Sequence, residues 1–253
     1  MTKPVAIITG ASRGVGSEVA KKLSENGWNI TLTCSNSIKD AEKVSAFCQD
    51  LGAETLVIKA DVSEDTSCKE TVQKTLDKWG SLDALINNAG TTKFNPHDNL
   101  EGLSKQDFLD LYAINTVGPY MMIKESREAL LNSSNPSVVN VASIAGVVGI
   151  GSSVAYAASK GALINMTKSL ARALGPIRIN AVCPGFIQGD WLKNGLGAET
   201  YEFVKKSTED SVPLNLTCTA EQVAETISYF VESGSTITGE TLILDGGMHL
   251  GNY

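Results

Sequence analysis

Residues 156–166 read YAASKGALINM and place a phenol, Tyr156, four positions before an ammonium, Lys160. On an α-helix this spacing puts both side chains on one face, where they can contact the same ligand. A nearby ammonium stabilises phenolate over phenol, so we expect it to lower the tyrosine pKa from about 10 towards the range where protons exchange near neutral pH. Tyr156 is therefore a candidate acid–base residue. Because the same spacing occurs on ordinary surface helices, the pair alone does not define a site.

A second candidate site is the glycine-rich stretch TGASRGVG at residues 9–16, which follows a β-branched run and opens a helical pattern. Gly10, Gly14 and Gly16 let the backbone turn tightly and approach a pyrophosphate, whose charge then meets the helix N-terminus. The GxxxGxG spacing differs from the GxGxxG of ordinary dinucleotide-binding folds, and the stretch lacks the lysine of a P-loop. It favours a dinucleotide site, with a plain glycine-rich turn as the alternative.

The end of the second predicted strand bears on which dinucleotide would bind. An NAD site commonly has Asp or Glu at this point, against the ribose 2′-hydroxyl. This chain has Cys34, Ser35 and Asn36 there, so no carboxylate would repel a 2′-phosphate. Arg13 in the glycine turn could pair with that phosphate, although it could also be a solvated surface arginine. The missing carboxylate leads us to predict NADP(H) as the cofactor.

Short β-branched runs alternate with longer helical patterns along the whole chain. The predicted strands are residues 5–9, 30–34, 55–60, 84–87, 137–143, 177–183 and 241–245. Apolar residues at three- and four-residue spacing predict helices at 15–26, 39–51, 64–79, 104–131, 155–174 and 219–232. This alternation predicts an α/β fold, a doubly wound, seven-stranded parallel sheet of Rossmann type with helices on both faces.

No linker composition divides the sequence, so residues 1–253 are predicted to form a single dinucleotide-binding catalytic domain. Residues 185–218 contain no predicted element and are rich in Gly, Lys and bulky apolar residues. So long a connection in a compact domain is usually functional. We therefore interpret residues 185–218 as a substrate lid.

Composition excludes several classes of protein. The chain carries 21 basic and 28 acidic side chains, a net charge of −7 that argues against a nucleic-acid partner. Residues 129–159 carry no charge, but scattered Asn, Ser, Pro and Gly residues argue against a membrane span. The five cysteines are widely spaced and form no CxxC pair, and the first residues do not resemble an export signal, which together favour the cytoplasm. His97 and His249 lie far apart in sequence, so we predict no metal site.

Six motifs occur in the order in which they occur in the short-chain dehydrogenase/reductase family. They are TGASRGVG (9–16), NNAG (87–90), Asn115 after an isoleucine, Ser143 after VVNVA, YAASK (156–160) and PG (184–185). Each motif is modest evidence alone, but the ordered set is highly specific. The chain therefore resembles the ordinary single-domain members of this family over essentially its whole length, and among them NADPH-dependent carbonyl reductases of the 3-oxoacyl type.

The resemblance implies a role for each of four residues. Tyr156 would protonate the carbonyl oxygen of a ketone as hydride arrives from the nicotinamide, and Ser143 would hydrogen-bond the same oxygen. Lys160 would bind the nicotinamide ribose and lower the phenol pKa, and Asn115 would support a water through which protons are resupplied. The positions that match the family's cofactor site are Gly10, Ser12, Arg13, Gly14, Val15, Gly16, Ser35, Asn36, Asp61, Val62, Asn87, Ala89, Gly90, Tyr156, Lys160, Pro184, Gly185 and Ile187.

The substrate is expected to contact residues 92–98, the loop at 144–155 and the aromatic side chains of the lid. This apolar lining favours a small hydrophobic ketone or its alcohol, although Trp191, Tyr201 and Phe203 could simply pack the lid on the sheet.

Three other functions stay open. One is a 3-oxoacyl-(acyl carrier protein) reductase, but residues 129–137 and 173–177, where such relatives carry basic residues, contain none to attract an acidic partner. Another is an NAD-dependent secondary alcohol or sugar dehydrogenase. The last is a catalytically silent NADP(H)-binding sensor, which would have no need to keep Ser143, Tyr156 and Lys160 together.

Two further expectations come from the resemblance alone. The protein is expected to be a homo-oligomer, a tetramer or a dimer, built through the helices at 104–131 and 155–174 and the C-terminal segment. The chain has Gly189 where the family commonly has threonine, which puts the side-chain contact of that threonine with the nicotinamide in question. A glycine there could let the lid move more freely.

Overall fold

All seven predicted strands are present, and they lie parallel in one sheet. The computed structural model describes residues 3–251. The strands are β1 (Val5–Ile8), β2 (Asn29–Cys34), β3 (Thr55–Lys59), β4 (Ala84–Asn87), β5 (Ser137–Val141), β6 (Arg178–Pro184) and β7 (Thr241–Leu244). Their order across the sheet is β3-β2-β1-β4-β5-β6-β7, and every neighbouring pair is parallel.

The strand order reverses beside β1. The chain begins in the middle of the sheet, moves outward to β3, returns past β1 to β4 and then moves outward again to β7. In open parallel sheets, ligands bind outside the carboxyl ends of the strands at such a switch point. The loops that follow β1 and β4 are therefore the place to look for a site.

Helices connect the strands and cover both faces of the sheet. They are α1 (Gly14–Glu25), α2 (Ile38–Asp50), α3 (Asp65–Trp79), α4 (Lys105–Tyr112), α5 (Gly118–Leu131), α6 (Ala145–Val148), α7 (Val154–Ala173), α8 (Asp190–Leu196), α9 (Ala198–Ser211) and α10 (Ala220–Glu232). Successive residues of β1 point into opposite cores: Ile8 packs with α1 and α10, and Ile7 packs with α3 and α5. Two buried faces explain why the strands are continuously apolar, as parallel strands generally are.

The helix predicted at 104–131 is interrupted, which corrects the sequence prediction. Between α4 and α5 lies a π-helical turn, Ala113–Val117, closed by a hydrogen bond from the Gly118 N–H to the Ala113 carbonyl. Pro119 follows and has no N–H to donate to the residue four positions earlier, so the regular helical bonding fails here. Apolar periodicity continues through the turn, which is why the pattern did not reveal it.

Residues 185–218 contain two helices, α8 and α9, that apolar periodicity did not predict. Gly189 and Gly197 precede them, both with positive φ, and most of their side chains are exposed. Tyr201 is the one buried residue of the two helices. A segment that buries so little apolar surface has a weak periodic pattern.

Residues 3–251 contain neither a candidate membrane span nor a candidate metal-binding cluster. No helix in this part of the chain has the length and apolar character needed to cross a bilayer. No group of three or more His, Cys, Asp or Glu side chains there is arranged to hold a metal ion. The five cysteines are buried free thiols.

Candidate active site

Tyr156 and Lys160 lie in the first two turns of α7. The helix begins after Ser153, whose side chain accepts a hydrogen bond from the Tyr156 N–H at 3.2 Å. The Lys160 side chain passes the tyrosine ring, with its Nζ 5.8 Å from the ring centroid. It is only 4% exposed and donates a hydrogen bond of 2.8 Å to the Val141 carbonyl at the end of β5. The two groups therefore share one side of the helix, facing β5.

The expected lowering of the Tyr156 pKa is wrong for this structure. The residue is partly exposed, yet burial around its hydroxyl raises the pKa of Tyr156 to about 12, and the hydrogen bond with Ser143 offsets only part of the rise. Burial also lowers the pKa of Lys160 to about 8. The ammonium does not oppose the tyrosine shift because it is turned towards the Val141 carbonyl. Tyr156 is therefore a protonated phenol near neutral pH, the form that can donate a proton.

Ser143 lies two residues beyond β5 rather than at the end of the strand. Its hydroxyl accepts a hydrogen bond from the Ala145 N–H at 3.1 Å, which shapes the turn that leads into α6. The next residue, Ile144, donates its N–H to the Pro184 carbonyl at 2.9 Å, and this bond ties the turn to the end of β6. The same hydroxyl is hydrogen-bonded to the Tyr156 side chain, which lowers the pKa of Tyr156 and offsets part of the rise caused by burial. Two strand ends thus fix the serine beside the phenol.

Asn115 lies in the π-helical turn and links three elements. Its amide oxygen accepts from the Thr91 N–H at 2.9 Å, and its amide nitrogen donates to the Thr91 carbonyl at 2.9 Å and to the Ser159 hydroxyl at 3.0 Å. Gly90 lies against the same group, since a Cβ there would be 3.3 Å from the Asn115 oxygen and 3.4 Å from Lys160 Nζ. The four predicted catalytic residues therefore meet beside the chain that leaves β4.

Asn88 is a positioning residue that the sequence interpretation missed. Its side-chain nitrogen donates to the carbonyls of Thr9 and Gly10, both at 2.9 Å, while the Thr9 hydroxyl accepts from the N–H groups of Asn88 and Ala89 at 3.0 Å. A Cβ on Gly16 would lie 2.5 Å from the same nitrogen. These bonds join the glycine turn to the end of β4. The doubled asparagine of NNAG was the available signal, but only Asn87 was assigned to the site.

Ser159 and Gly146 were also missed. The Ser159 hydroxyl accepts from Asn115 and donates to the Tyr156 carbonyl at 2.8 Å, so it connects the π-helical turn to α7. Gly146 allows the turn after Ser143 to touch α7, because a Cβ there would lie 2.5 Å from the Gly161 nitrogen and 2.5 Å from the Lys160 carbonyl carbon. A serine inside YAASK and a glycine in a glycine-rich loop carry no distinguishing signal in one sequence.

The glycine turn has the features that a pyrophosphate needs. Gly10 and Gly14 have φ values of 66° and 58°, and nothing lies within 4 Å of where a Gly14 Cβ would be. Arg13 occupies the N-cap of α1 without a side-chain hydrogen bond to the helix, and the first turn has no acidic residue. The first N–H groups of the helix are therefore free for an anion that approaches through the space beside Gly14. Ser12 and Val15 complete this turn, with Val15 buried in the core.

The other predicted cofactor positions follow the ends of the remaining strands. Ser35 and Asn36 are exposed after β2. Asp61, after β3, accepts bonds from the N–H and hydroxyl of Ser63 at 2.9 and 2.7 Å. Val62 is buried against the start of α5, where a Cβ on Gly118 would lie 2.8 Å from its carbonyl oxygen.

Three more of these positions lie deeper in the sheet. Asn87 is buried and donates to the Asn140 side chain at 2.9 Å, while its own amide oxygen is buried without a hydrogen bond. Pro184 ends β6, and Gly185 packs so closely on Asp245 that a Cβ would lie 2.8 Å from it. These residues border the carboxyl edge of the sheet between β4 and β7.

The segment after β6 is anchored at its base and carries aromatic contacts above it. Ile187 forms a parallel bridge with Cys218. Phe186 and Tyr201 stack with ring centroids 5.4 Å apart, and Phe94, from the loop after β4, lies 6.1 Å from Trp191 of α8. Helix α8 therefore meets the β4 loop.

The loops that flank the site are also joined to each other. The Thr92 and Ser152 hydroxyls are hydrogen-bonded, the Asn95 N–H donates to the Ser152 carbonyl at 2.8 Å, and His97 Nε2 lies 3.1 Å from the Gly151 carbonyl. The expected substrate loops at 92–98 and 144–155 are therefore held together in the structure, beside the candidate catalytic residues Ser143 and Tyr156.

Comparison with known proteins finds relatives that match nearly the whole chain. A family model described as enoyl-(acyl carrier protein) reductase matches residues 10–249. The chain is 36% identical over 248 residues to a protein of Streptomyces violaceoruber named as a ketoacyl reductase of the granaticin polyketide synthase, with 98% of this chain and 96% of that protein covered.

Two solved structures have the same fold at full length. One, described as a short-chain dehydrogenase/reductase from Burkholderia xenovorans, is 35% identical with a TM-score of 0.92 and covers 99% of this chain and 100% of its own. The other, an NAD+-bound xylitol dehydrogenase, is 27% identical with a TM-score of 0.89 and covers 97% and 99%. With its doubly wound sheet and the ordered motifs at its carboxyl edge, the chain belongs to the short-chain dehydrogenase/reductase family of nicotinamide-dependent oxidoreductases.

Proposed function

We propose that this protein reduces a free hydrophobic ketone to the secondary alcohol with NADPH. The observation that carries the proposal is the meeting of Ser143, Tyr156 and Lys160 beside Gly90, at the switch point of the sheet and next to an uncapped glycine turn. A nicotinamide cofactor bound along this edge supplies the hydride. The residues of the chain supply the proton, the alignment of the ketone and the exclusion of water.

Each of the four residues has a distinct part in the proposed reaction. Tyr156 carries the proton, because its raised pKa keeps the hydroxyl protonated near neutral pH. Ser143 donates a hydrogen bond to the carbonyl oxygen of the ketone, the atom that Tyr156 protonates, and so aligns the ketone with the phenol. Lys160 stays mostly protonated at pH 7 and presents a charge to the ribose beside Gly90, and Asn115 fixes the turn against which that ammonium rests.

NADPH is proposed over NADH because of the charges beside the glycine turn. Arg13 is exposed, and its charge adds to the effect of Lys43 in lowering the pKa of Asp40 in the first turn of α2. The residues that leave β2, Ser35 and Asn36, carry no charge of their own. A 2′-phosphate at this point would meet a cation and no neighbouring carboxylate on the β2 loop.

Replacement Arg13→Ala is therefore expected to weaken NADPH binding about tenfold and to leave NADH binding nearly unchanged, since a hydrogen bond to a charged group contributes about 1.5–3 kcal/mol. Isothermal titration of each cofactor measures both constants. Arg127→Ala, which removes a remote exposed arginine, is the control. Equal loss of both cofactors would contradict the assignment of the 2′-phosphate to Arg13.

The proposed substrate is apolar because the segment above the site presents aromatic rings. We propose that residues 185–218 act as a lid that rests on Phe94. A Cβ on Gly195 would lie 2.1 Å from the Phe94 ring, so the ring fits against α8 only because residue 195 is glycine. Phe94 and Trp191 remain 36% and 43% exposed, which leaves aromatic surface for a substrate to cover.

Replacement Gly195→Ala should displace the Phe94 ring and raise KM for a bulky apolar ketone about fivefold while kcat for a small ketone changes little. Steady-state kinetics with ketones of increasing size measures the effect. Lys193→Ala, an exposed change on the same helix, is the control. An unchanged KM for every ketone would show that the contact between Phe94 and α8 does not shape the entrance.

A second candidate function is a 3-oxoacyl-(acyl carrier protein) reductase. The relative named as a ketoacyl reductase favours it, and the description of the matching family model names the same carrier although a different reaction. Residues 129–137 and 173–177 still lack basic side chains for an acidic carrier, which is why we place free ketones first. A higher kcat/KM for carrier-bound 3-oxoacyl groups than for free ketones of the same chain length would reverse this order.

The experiment that tests the proposed function follows the absorbance of NADPH during incubation with a panel of free ketones. NADH and a set of secondary alcohols and sugars with NAD+ test the oxidative alternative, for which the NAD+-bound xylitol dehydrogenase is the structural precedent. Tight binding of NADPH without turnover of any substrate would favour a sensor. Consumption of NADPH with hydrophobic ketones supports the proposal.

We also propose that the protein is a cytoplasmic homo-oligomer. Leu109 on α4 and Val117 and Tyr120 around the start of α5 are 45–49% exposed, and together they leave an apolar surface on the pair of helices expected to form the interface. The buried free thiols suit a reducing compartment. Light scattering of the purified protein measures the oligomeric state.

A further inference from the structure

Tyr201 connects helix α9 of the lid to residues 186–189, where the lid leaves β6. It lies in the first turn of α9 and is 7% exposed, whereas its neighbours on α8 and α9 are partly or fully accessible. Its ring stacks on Phe186, and its hydroxyl oxygen accepts a hydrogen bond of 3.2 Å from the Gly189 N–H. The ring provides the apolar contact, and the hydroxyl provides a polar contact at the start of α8.

The segment that Tyr201 touches, residues 186–188, is the first part of the lid, and it pairs with Cys218 at the other end of the lid. The Cys218 N–H donates to the Phe186 carbonyl at 2.9 Å, and the Gln188 N–H donates to the Cys218 carbonyl at 2.8 Å. Phe186 itself follows β6 by two residues. The Cys218 thiol donates to the Leu244 carbonyl at the end of β7 at 2.8 Å. Residues 186–188 are therefore tied to the sheet through Cys218, and the phenol of Tyr201 reaches from α9 onto them.

The hydroxyl of Tyr201 keeps a hydrogen to donate. A phenol can accept and donate at once, and a buried tyrosine hydroxyl usually does both. Within residues 3–251 the bond from Gly189 is the only hydrogen bond that this hydroxyl forms, and it uses the oxygen as acceptor. A polar hydrogen on a residue that is 93% buried has lost water and needs an acceptor.

The space beside Gly189 can receive that acceptor. Nothing lies within 4 Å of where a Gly189 Cβ would be, and the φ of 146° disfavours any side chain there. An oxygen atom of a ligand can therefore approach the peptide of Gly189 and the hydroxyl of Tyr201 together. The position is two residues beyond Ile187 and five residues beyond Pro184, the last residue of β6, whose carbonyl accepts from the Ile144 N–H of the serine turn.

We infer that Tyr201 is a ligand-binding residue of the closed lid, whose hydroxyl donates a hydrogen bond to a carbonyl-type oxygen at the nicotinamide end of the site. The oxygen belongs to the carboxamide of the cofactor or to a second polar group of the substrate. This inference rests on the proposed function. It assigns to a side chain of α9 the polar contact that Gly189, lacking a side chain, cannot make.

The test is Tyr201→Phe, which keeps the ring on Phe186 and removes the hydroxyl. We expect either the NADPH dissociation constant or the KM of an oxygen-bearing ketone to rise about fivefold, since one hydrogen bond contributes about 1 kcal/mol. Titration of NADPH without substrate separates the two sources of oxygen. Tyr229→Phe removes the hydroxyl of an exposed tyrosine on α10 and is the matched control.

Analogues that lack the accepting oxygen distinguish ligand binding by the Tyr201 hydroxyl from a purely structural role. The thioamide analogue of NADPH has a weak sulfur acceptor in place of the carboxamide oxygen, so the fivefold ratio between wild type and variant should approach one with this analogue. Where the effect is on KM, it should likewise vanish with a ketone that has no second oxygen. An equal ratio for both members of a pair, or no change in either constant, would overturn the inference. Failure of the wild type to bind NADPH or NADH would overturn the proposed function itself.

Discussion

Replacement of Tyr156 by phenylalanine is expected to lower kcat for ketone reduction about 10³-fold, within the 10²–10⁴-fold range of general acid catalysis. The phenol holds a proton next to Ser143 and next to the ammonium of Lys160. Phenylalanine preserves the ring and the start of α7 but has no proton to give. Steady-state consumption of NADPH measures the loss.

The variant should keep its fold and its cofactor. The Tyr156 backbone N–H still donates to the Ser153 hydroxyl in this variant. The hydroxyl that is removed is hydrogen-bonded to Ser143, and no other buried group in the described part of the chain loses a partner. We therefore expect the NADPH dissociation constant to stay within about twofold of the wild-type value. Tyr229→Phe, an exposed tyrosine on α10, serves as a second tyrosine change outside the catalytic group. Wild-type turnover by Tyr156→Phe would remove the basis of the proposed mechanism.

The second large effect is expected from a single methyl group at Gly146. This residue lies three positions after Ser143, in α6, which touches the backbone of α7. In Gly146→Ala the new Cβ would lie 2.5 Å from the Gly161 nitrogen and 2.8 Å from the Lys160 carbonyl oxygen, distances that backbone atoms cannot relieve by a rotamer change. The turn must move away from the helix, and Ser143 must move with it.

We expect Gly146→Ala to lower the free energy of unfolding by about 1–3 kcal/mol, as overpacking usually does. The kcat for ketone reduction should fall about 10²-fold, because a displacement of about 1 Å between Ser143 and Tyr156 breaks their common approach to one oxygen. Urea denaturation followed by circular dichroism measures the first quantity, and steady-state kinetics measures the second. The glycine turn is far from this contact, so NADPH affinity should change less than kcat.

The control for this prediction lies on the other side of the same contact. In Gly161→Ala the new Cβ would be 3.4 Å from the Gly146 carbonyl oxygen, an ordinary contact distance. Alanine inside α7 favours the helix by up to about 1 kcal/mol relative to glycine. This variant should be as stable as the wild type or slightly more stable. Equal behaviour of the two variants would show that the approach of α6 to α7 does not position Ser143.

The amino-acid sequence by itself determined the fold and indicated which residues are candidate catalytic groups. Seven β-branched runs became the seven strands because parallel strands that are buried on both faces need continuous apolar residues. This property can be recognised in a short stretch of sequence without knowledge of the rest of the chain. The spacing of Tyr156 and Lys160 put them on one side of α7 because four residues make about one helical turn. Regular elements of this kind follow from neighbours in sequence.

Tertiary structure alone decided how those groups are arranged and charged. The π-helical turn that holds Asn115, the bonds of Asn88 to Thr9 and Gly10, and the contact of Gly146 with α7 all join segments that are far apart in sequence. The pKa of Tyr156 moved opposite to expectation because burial raises it and the hydrogen bond with Ser143 offsets only part of the rise. Burial and close approach depend on which distant segments meet, and a single sequence carries no local pattern for that.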